Sequence, residues 1–526
     1  MGNPEVGRDE PLSPLGRLFL TPEMHQIVHC IMGCENPIDV AAITSEIANS
    51  VMVRLPRFSS LLARDSHGRE HWRKTQVDVH RHVIVVEEPV SSAVDDGEAV
   101  NDYVADLSVS YPLSYDKPLW EVHLLKAHNC IIFRIHHALG DGISLMSMLQ
   151  EWCQRADHEL DRRLSVGSMG TNSNSSSNRE KRWTQLWKVV VGMLMGLGFI
   201  MEFALRALWV KDKRTAVSGG AGVELWPRKL ATAKFRLDDM KAVKKVVTNA
   251  TINDVLFGVV SSGLSRYLDL RTPKALQDGV QITGLAMVNL RKQSGLQELS
   301  DMLRCNSGNP WGNKFGMLLV PFYYRRGGAN PLQYVRIAKQ MMDQKKQSLE
   351  AQFSYNMEKL LMSYFGPQNY PIVKLLKHNS DFPSDHSNVI GPKEEITIAG
   401  NPVKYLRLNN TSLPHVKLLK LTLIFHPIIL EARNPPFAML KVEKTFSGST
   451  PLPQQHHFRA ATKPENPFSW KQSYATASAI TMHMLSYAGR VDMQILVAKD
   501  IIPDPQVLAK CFEDALLQMK EAATKE

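Results

Sequence analysis

Between residues 118 and 165 the apolar positions change period twice. Leu119 to Leu125 is rich in residues suited to a strand, Lys126 to Asn129 is a polar break, and Cys130 to His137 reads as a second strand. In it Ile131, Phe133, Ile135 and His137 share parity and point to one face, while Ile132, Arg134 and His136 point to the other. After Gly142, the residues Ile143, Met146, Leu149 and Cys153 recur at helical spacing. The pattern puts His137 at a strand end, ahead of a glycine turn and a helix.

A second α/β region follows further along. Thr251-Ile252-Asn253-Asp254 fits a capping box, and the helix it opens would bury Val255, Leu256, Val259, Val260 and Leu264. Gln281 to Asn289 reads as a strand that runs into Asn289-Leu290-Arg291, and Asn306 to Gly316 as a Gly/Asn-rich loop. Pro331 to Phe365 is mostly helical, with Pro331 at its start, where a helix tolerates it. His386 to Thr397 carries a turn at Gly391-Pro392 and then strand-like residues. Regular patterning returns at Ile480 to Ala488 and Met493 to Ala498, and a helix over Pro505 to Ala522 ends the chain.

Three stretches break the pattern. Gly167 to Asn178 is Gly/Ser/Asn-rich and reads as a flexible linker within 166–182. Val189 to Val210, within 183–214, is apolar, but only the thirteen residues Val189 to Met201 are free of charge. That falls short of the roughly 20 needed to span a bilayer. Lysines, arginines and the tryptophans Trp183, Trp187 and Trp209 flank it, as they do interfacial segments. An interfacial or re-entrant membrane helix, a single span and a buried soluble helix all remain open readings. The third stretch, 416–475, looks foreign: Val416 to Gln472 carries seven prolines and neither period persists.

The chain's 526 residues suit two or three domains, and its 44% hydrophobic and 22% charged content is that of a globular protein. A net charge of +10 suits anionic partners such as a membrane surface or phosphate-bearing substrates. Zinc-finger spacing and RNA-recognition motifs are missing, which sets nucleic acid aside. Six scattered cysteines, at 30, 34, 130, 153, 305 and 511, read as reduced thiols facing the cytosol. The polar start has no signal-peptide core, and Val6 stands where myristoylation wants Ser or Thr. Neither a Walker loop, a dinucleotide fingerprint nor a metal-ligand cluster is visible, and His456-His457 reads as incidental.

The candidate chemistry is His136-His137-Ala138-Leu139-Gly140-Asp141-Gly142. Histidine is the usual general base at neutral pH, and glycines permit the tight turn that would aim it. This run resembles the His-His-x-x-x-Asp-Gly motif of acyltransferases of the chloramphenicol-acetyltransferase-like superfamily. Pro11-Leu12-Ser13-Pro14, Pro118-Leu119-Trp120, Asn253-Asp254 and Ser387-Asn388-Val389-Ile390-Gly391-Pro392 narrow the likeness to plant-type wax ester synthase/diacylglycerol acyltransferases. The match runs over about residues 10 to 415 and 478 to 524. In between the chain departs from the family's pattern, as an insertion over 416–475 would make it do.

The resemblance implies an α/β (α+β) fold of two chloramphenicol-acetyltransferase-like subdomains, 1–165 and 225–526, with mixed sheets flanked by helices and an active-site channel between them. It implies transfer of a fatty acyl group from acyl-CoA, a substrate and not a bound cofactor, to a long-chain alcohol or to diacylglycerol. His137 is then the general base, favoured neutral by apolar surroundings, and His136 supports it. Asp141 holds the turn, with Arg291 as its candidate partner, and Gly142 gives the backbone freedom to leave it. Pro118, Leu119 and Trp120 are channel wall or packing, and Asn253-Asp254 is a helix cap or part of the acyl-CoA site. Trp311-Gly312-Asn313 is a turn with donors that an oxyanion could use. The expected location is the endoplasmic reticulum membrane with a cytosol-facing site, the plasma membrane being the second address. The competing readings are a non-catalytic lipid- or membrane-binding paralogue, a product inactivated by 416–475, and a soluble acyltransferase of specialised metabolism. The last lacks its family's Asp-Phe-Gly-Trp-Gly signature here.

Overall fold

The computed structural model describes residues 10–20, 25–91, 95–110, 112–155, 227–273, 275–291, 311–326, 330–365, 384–411 and 479–526, with short pieces within 198–218 and 296–303. The linker 166–182, Cys305, His456-His457 and the stretch 416–475 lie outside the described residues, and 183–214 almost wholly so.

In chain order the first half runs β1 (Glu10–Pro11), α1 (Pro14–Leu18), β2 (Ile27–Cys34), α2 (Val40–Asn49), α3 (Val51–Arg54), β3 (Ser60–Arg64), β4 (Glu70–Lys74), β5 (Val83–Val86), α4 (Asp96–Ser110), β6 (Trp120–Leu125), β7 (Cys130–His136), α5 (Gly142–Trp152) and β8 (Gln154–Arg155). The second half adds β9 (Arg228–Arg236), α6 (Leu237–Val246), α7 (Ile252–Arg271), β10 (Gln281–Asn289), α8 (Leu299–Leu303), β11 (Phe315–Tyr323), α9 (Pro331–Gln347) and α10 (Glu350–Phe365). It closes with β12 (Ser384–Ile390), β13 (Ile396–Ile398), β14 (Asn401–Asn410), β15 (Ile480–Tyr487), β16 (Arg490–Ala498) and α11 (Pro505–Ala523).

Local chemistry explains most of the boundaries. The β6–β7 hairpin turns at the polar break, where Asn129 takes the left-handed conformation that its short side chain tolerates. Asp141 caps α5, its carboxylate accepting from the Ser144 amide. Thr251 and Asp254 close the reciprocal box that opens α7. Ser348 divides the long helical stretch after Pro331 into α9 and α10.

Two mixed sheets carry the molecule. One has the strand order β5-β6-β7-β2-β14-β13-β8, the other β11-β10-β12-β15-β16-β9, and β1, β4 and β3 form a small third sheet. The strands β5 and β6 run parallel, as do β10, β12 and β15, and the remaining pairs are antiparallel. The first sheet therefore takes two of its strands, β13 and β14, from residues 396–410 of the second half. The division at 165/225 does not anticipate this exchange: β14 lies along β2, with Leu408 opposite Cys30.

Alternation sorts the side chains of β7. Ile131, Phe133 and Ile135 enter the core of the first half with Val28, Cys30 and Leu408, while Ile132 faces a smaller cluster with Val104, Leu230 and Leu496. Each such fully buried side chain contributes about 1.5–3 kcal/mol. The second half has its own core between β9, β15, β16 and the helices α7, α9 and α11. Polar groups make further ties: Arg407 on β14 of the first sheet bonds Asp492 on β16 of the second at 2.8 Å, and Asn101 on α4 bonds Thr232 on β9, across the two halves, at 3.1 Å. Among the described residues no helix is long and apolar enough to cross a membrane.

Candidate active site

His137 is the first residue beyond β7, and its amide still donates to Gln26 O at 2.9 Å, which continues the sheet. Its half-buried ring opens on a cavity of about 130 Å³ where the ends of the two sheets meet. The first half lines this cavity with Leu18, Phe19, Val28, Asp141, Gly142 and Ile143; the second adds Met287, Phe315, Met317, Val389, Leu408, Thr481 and His483. Phe19 stacks on the His137 ring at 4.1 Å, and Phe315 meets its edge at 6.1 Å.

Asn313 fixes that ring. Its side-chain amide donates to His137 O at 2.9 Å, so its Oδ1 faces the ring and accepts from Nδ1–H at 3.0 Å. The proton is thereby held on Nδ1, and Nε2 keeps its lone pair. Burial lowers the His137 pKa below 6.5, against the opposing pull of the Asp141 charge. The imidazole is neutral at pH 7.

Asp141 does not orient His137. One oxygen accepts from Ser144 N at 3.0 Å; the other takes Arg291 Nη1 at 2.7 Å and Lys314 N at 3.0 Å. The second guanidinium nitrogen of Arg291 reaches Ser144 Oγ at 3.0 Å and Gly312 O at 2.6 Å. One arginine thus locks the start of α5 to the loop before β11, and that loop delivers Asn313. His136 points the other way and is fully buried. Its Nδ1 accepts from Ala138 N at 3.1 Å, and burial holds its pKa well below 6.5.

Several sequence expectations change here. Gly140 and Gly142 do not take positive φ. Their need is space: a Cβ on Gly142 would stand 3.0 Å from Val389, and one on Gly140 3.4 Å from the Trp311 ring. Backbone freedom is used instead at Gly312, φ +116°. Three donors of the Trp311–Asn313 loop are turned to the motif and the start of α5. Trp311 Nε1 donates to Leu139 O, Gly312 N to Ser144 Oγ, and Asn313 Nδ2 to His137 O.

Pro118, Leu119 and Trp120 are absent from the cavity wall. Leu119 O accepts from His136 N, while Trp120 donates to Phe58 O and stacks on His82, so this run anchors the strand that carries the motif. Asp254 closes the capping box with Thr251, and Asn253 bonds Asn388, which does line the cavity. Sequence reasoning missed Phe19, Asn313 as the ring's partner, Phe315 and His483. Only the Ser13-Pro14 helix start, which aims Phe19, left a local signal. Among the described residues no group of His, Cys, Asp and Glu side chains is set to hold a metal ion.

Comparison with known proteins bears on this geometry. The family model of the wax ester synthase/diacylglycerol acyltransferase catalytic domain matches residues 12–256. The model of that family's C-terminal domain matches 311–422 and 470–520, leaving a gap inside the stretch set apart by its prolines. Wax ester synthase/diacylglycerol acyltransferase 11 of Arabidopsis thaliana is 34% identical over 452 residues, which cover 82% of this chain and 91% of that protein. Number 4 of the same plant series is 28% identical and covers 99% of this chain and 92% of its own length. Among solved structures, the wax ester synthase/diacylglycerol acyltransferase from Marinobacter aquaeolei VT8 superposes with a TM-score of 0.55 at 16% identity, covering 98% of this chain and all of that one. The first condensation domain of the CDA synthetase gives 0.51 at 10% identity, with 99% and 97% covered. These two likenesses show the fold, an α/β arrangement of mixed sheets flanked by helices.

Proposed function

The chain belongs to the wax ester synthase/diacylglycerol acyltransferase family and is an acyl-CoA-dependent acyltransferase; from that premise we propose that His137 is the general base of the transfer. The observation that carries the reading is the His137 ring at the cavity, with Nδ1–H held by Asn313 and a depressed pKa. A hydroxyl is a poor nucleophile until a base takes its proton as it attacks. His137 Nε2 accepts that proton, the hydroxyl oxygen bonds the thioester carbonyl carbon, and the tetrahedral adduct expels coenzyme A as thiolate. The thiolate recovers the proton from the same ring, so the enzyme ends neutral and forms no covalent intermediate.

The acceptor we assign is a long-chain alcohol, giving a wax ester, or diacylglycerol, giving triacylglycerol. The apolar wall of Leu18, Phe19, Val28, Phe315, Met317 and Leu408 supports a long-chain substrate. We place the enzyme at the endoplasmic reticulum membrane with its site toward the cytosol, and the plasma membrane stands second. The net charge of +10 and the Trp- and Lys-flanked apolar stretch 189–210 support a membrane surface as partner.

The test is acyl transfer by membranes from yeast lacking neutral-lipid synthesis that express this chain or His137→Ala. Labelled palmitoyl-CoA is offered with hexadecanol or diacylglycerol. Ester formed by the parent and lost in the variant supports the base, and the product names the acceptor. Equal ester from both removes His137 from the chemistry. Recovery of the protein in a soluble fraction, free of membranes, would sink the location.

A further inference from the structure

The base described above leaves one charge unattended, since attack turns the carbonyl oxygen of the thioester into an oxyanion. A donor must meet it, and in the obvious loop Trp311 Nε1, Gly312 N and Asn313 Nδ2 already bond Leu139, Ser144 and His137.

The second sheet offers another. Strand β15 runs through the middle of the second sheet, between β12 and β16. Its residues alternate strictly. Met482 and Met484 enter the core of the second half, and Leu485, of the other parity, enters the core of the first. Thr481 and His483 share the parity of Leu485, and both line the cavity that holds His137. The inner face of this central strand thus presents two polar side chains to the cavity. His483 lies opposite Gln494 of β16, so its backbone is fixed by a regular antiparallel ladder.

We propose that His483 is the neutral hydrogen-bond donor that meets the carbonyl oxygen as the acyl group is transferred. The proposal rests on His137 being the base. Substrate then lies between two imidazoles with divided roles. His137 Nε2 takes the hydroxyl proton while the carbonyl π pair moves onto oxygen, and a His483 N–H donates to that oxygen without giving up its proton. When the carbonyl re-forms, the pair returns, the C–S bond breaks onto sulfur, and the thiolate takes the proton from His137. Burial, and after it the His137 charge, holds the His483 pKa at about 4. His483 therefore stays neutral at pH 7, and least of all takes a proton while His137 carries one. A neutral imidazole kept as a donor is a known way to polarise a carbonyl.

The experiment compares full-length parent, His483→Leu, His483→Phe, His483→Gln and His137→Ala in the same yeast membranes, with palmitoyl-CoA and hexadecanol varied. Removal of an oxyanion donor costs about 10²–10³ in kcat. His483→Leu should lose that much with the KM for palmitoyl-CoA within about threefold, because the bond strengthens only in the transition state. His483→Gln restores a donor and should recover at least about tenfold of the loss. If the leucine variant does not accumulate, His483→Phe, which keeps a ring without a donor, takes its place in the comparison. A kcat within about threefold of the parent for the donor-free variant, or a raised KM with kcat unchanged, overturns the proposal and leaves the base intact. A transfer-competent His137→Ala overturns the base and this proposal with it.

Discussion

The ring of His137 has two nitrogens, and Asn313 occupies one of them. The other can act as base only while it is unprotonated, and burial extends that state below the ordinary histidine pKa of 6.5. The sign follows directly. A base with a lowered pKa loses activity only once the pH has fallen past that lower value. The acid limb of kcat/KM should therefore have its midpoint below 6.5, and a limb above 6.5 would contradict a neutral buried base. Asn313 allows a sharper check. Asn313→Leu removes the partner of Nδ1 and frees the ring to adopt the wrong tautomer, so kcat should fall about ten- to a hundredfold with little change in KM. Asn313→Asp puts a negative charge beside the ring, which favours the imidazolium. Its acid limb should move to higher pH than the parent's. An unchanged limb in Asn313→Asp would mean that this contact does not govern the titration of the base.

The same motif behaves at the scale of elements as a lock between α5 and the strands β10 and β11. Arg291, just past β10, ties Asp141 at the helix cap to Gly312 in the loop before β11. Both side chains are almost completely buried. Removing one partner of a buried pair strands the other charge, at a cost of about 3–5 kcal/mol. Arg291→Met should lower the free energy of unfolding, read from urea titration, by that amount, while Arg291→Met with Asp141→Asn should lose less than the sum of the single changes. Additive losses would show that the two groups are not coupled. This lock was only half legible in the sequence. The β6–β7 hairpin and α5 are adjacent in the chain, and a change of period marks them. The Asp141 partnership became visible through resemblance, but Asn313 could not be found, because 176 residues separate it from His137. Strand β2 escaped detection for another reason. It is buried along its whole length, so Ile27–Cys34 shows no alternation to read. Its partner β14 comes from residues 401–410, and no local pattern announces a strand that crosses to the other half's sheet.

Across the whole molecule, buried ionisable groups make stability depend on pH from two directions. His29 and His136 are fully buried, and burial depresses their pKa values. Below pH 6.5 the unfolded chain gains protons that the fold refuses, so these residues remove stability as the pH falls. Glu358 acts the other way. On α10 it follows Glu350 and Ser354 at four-residue spacing, and both of those side chains accept backbone N–H groups of the edge strand β11. One turn further on, the two Glu358 oxygens have no hydrogen-bond partner among the described residues. Burial pushes its pKa up to about 8 from an ordinary 4.5. Below pH 4.5 the carboxyl is protonated in both states and contributes no pH dependence. Above it the unfolded chain ionises while the folded one keeps its proton, so stability falls as the pH rises towards 8. Between pH 6.5 and 8 the loss amounts to about 2 kcal/mol, at 1.36 kcal/mol per unit. Glu358→Gln keeps the shape of the neutral acid and removes the titration, so the parent's urea midpoint should fall relative to the variant's over that interval. The unfolded histidines still release protons just above pH 6.5, but they do so alike in parent and variant, so the difference between the two isolates the effect of Glu358. Parallel courses in parent and variant would show that this carboxyl is ionised in the folded chain, with a partner strong enough to hold its charge.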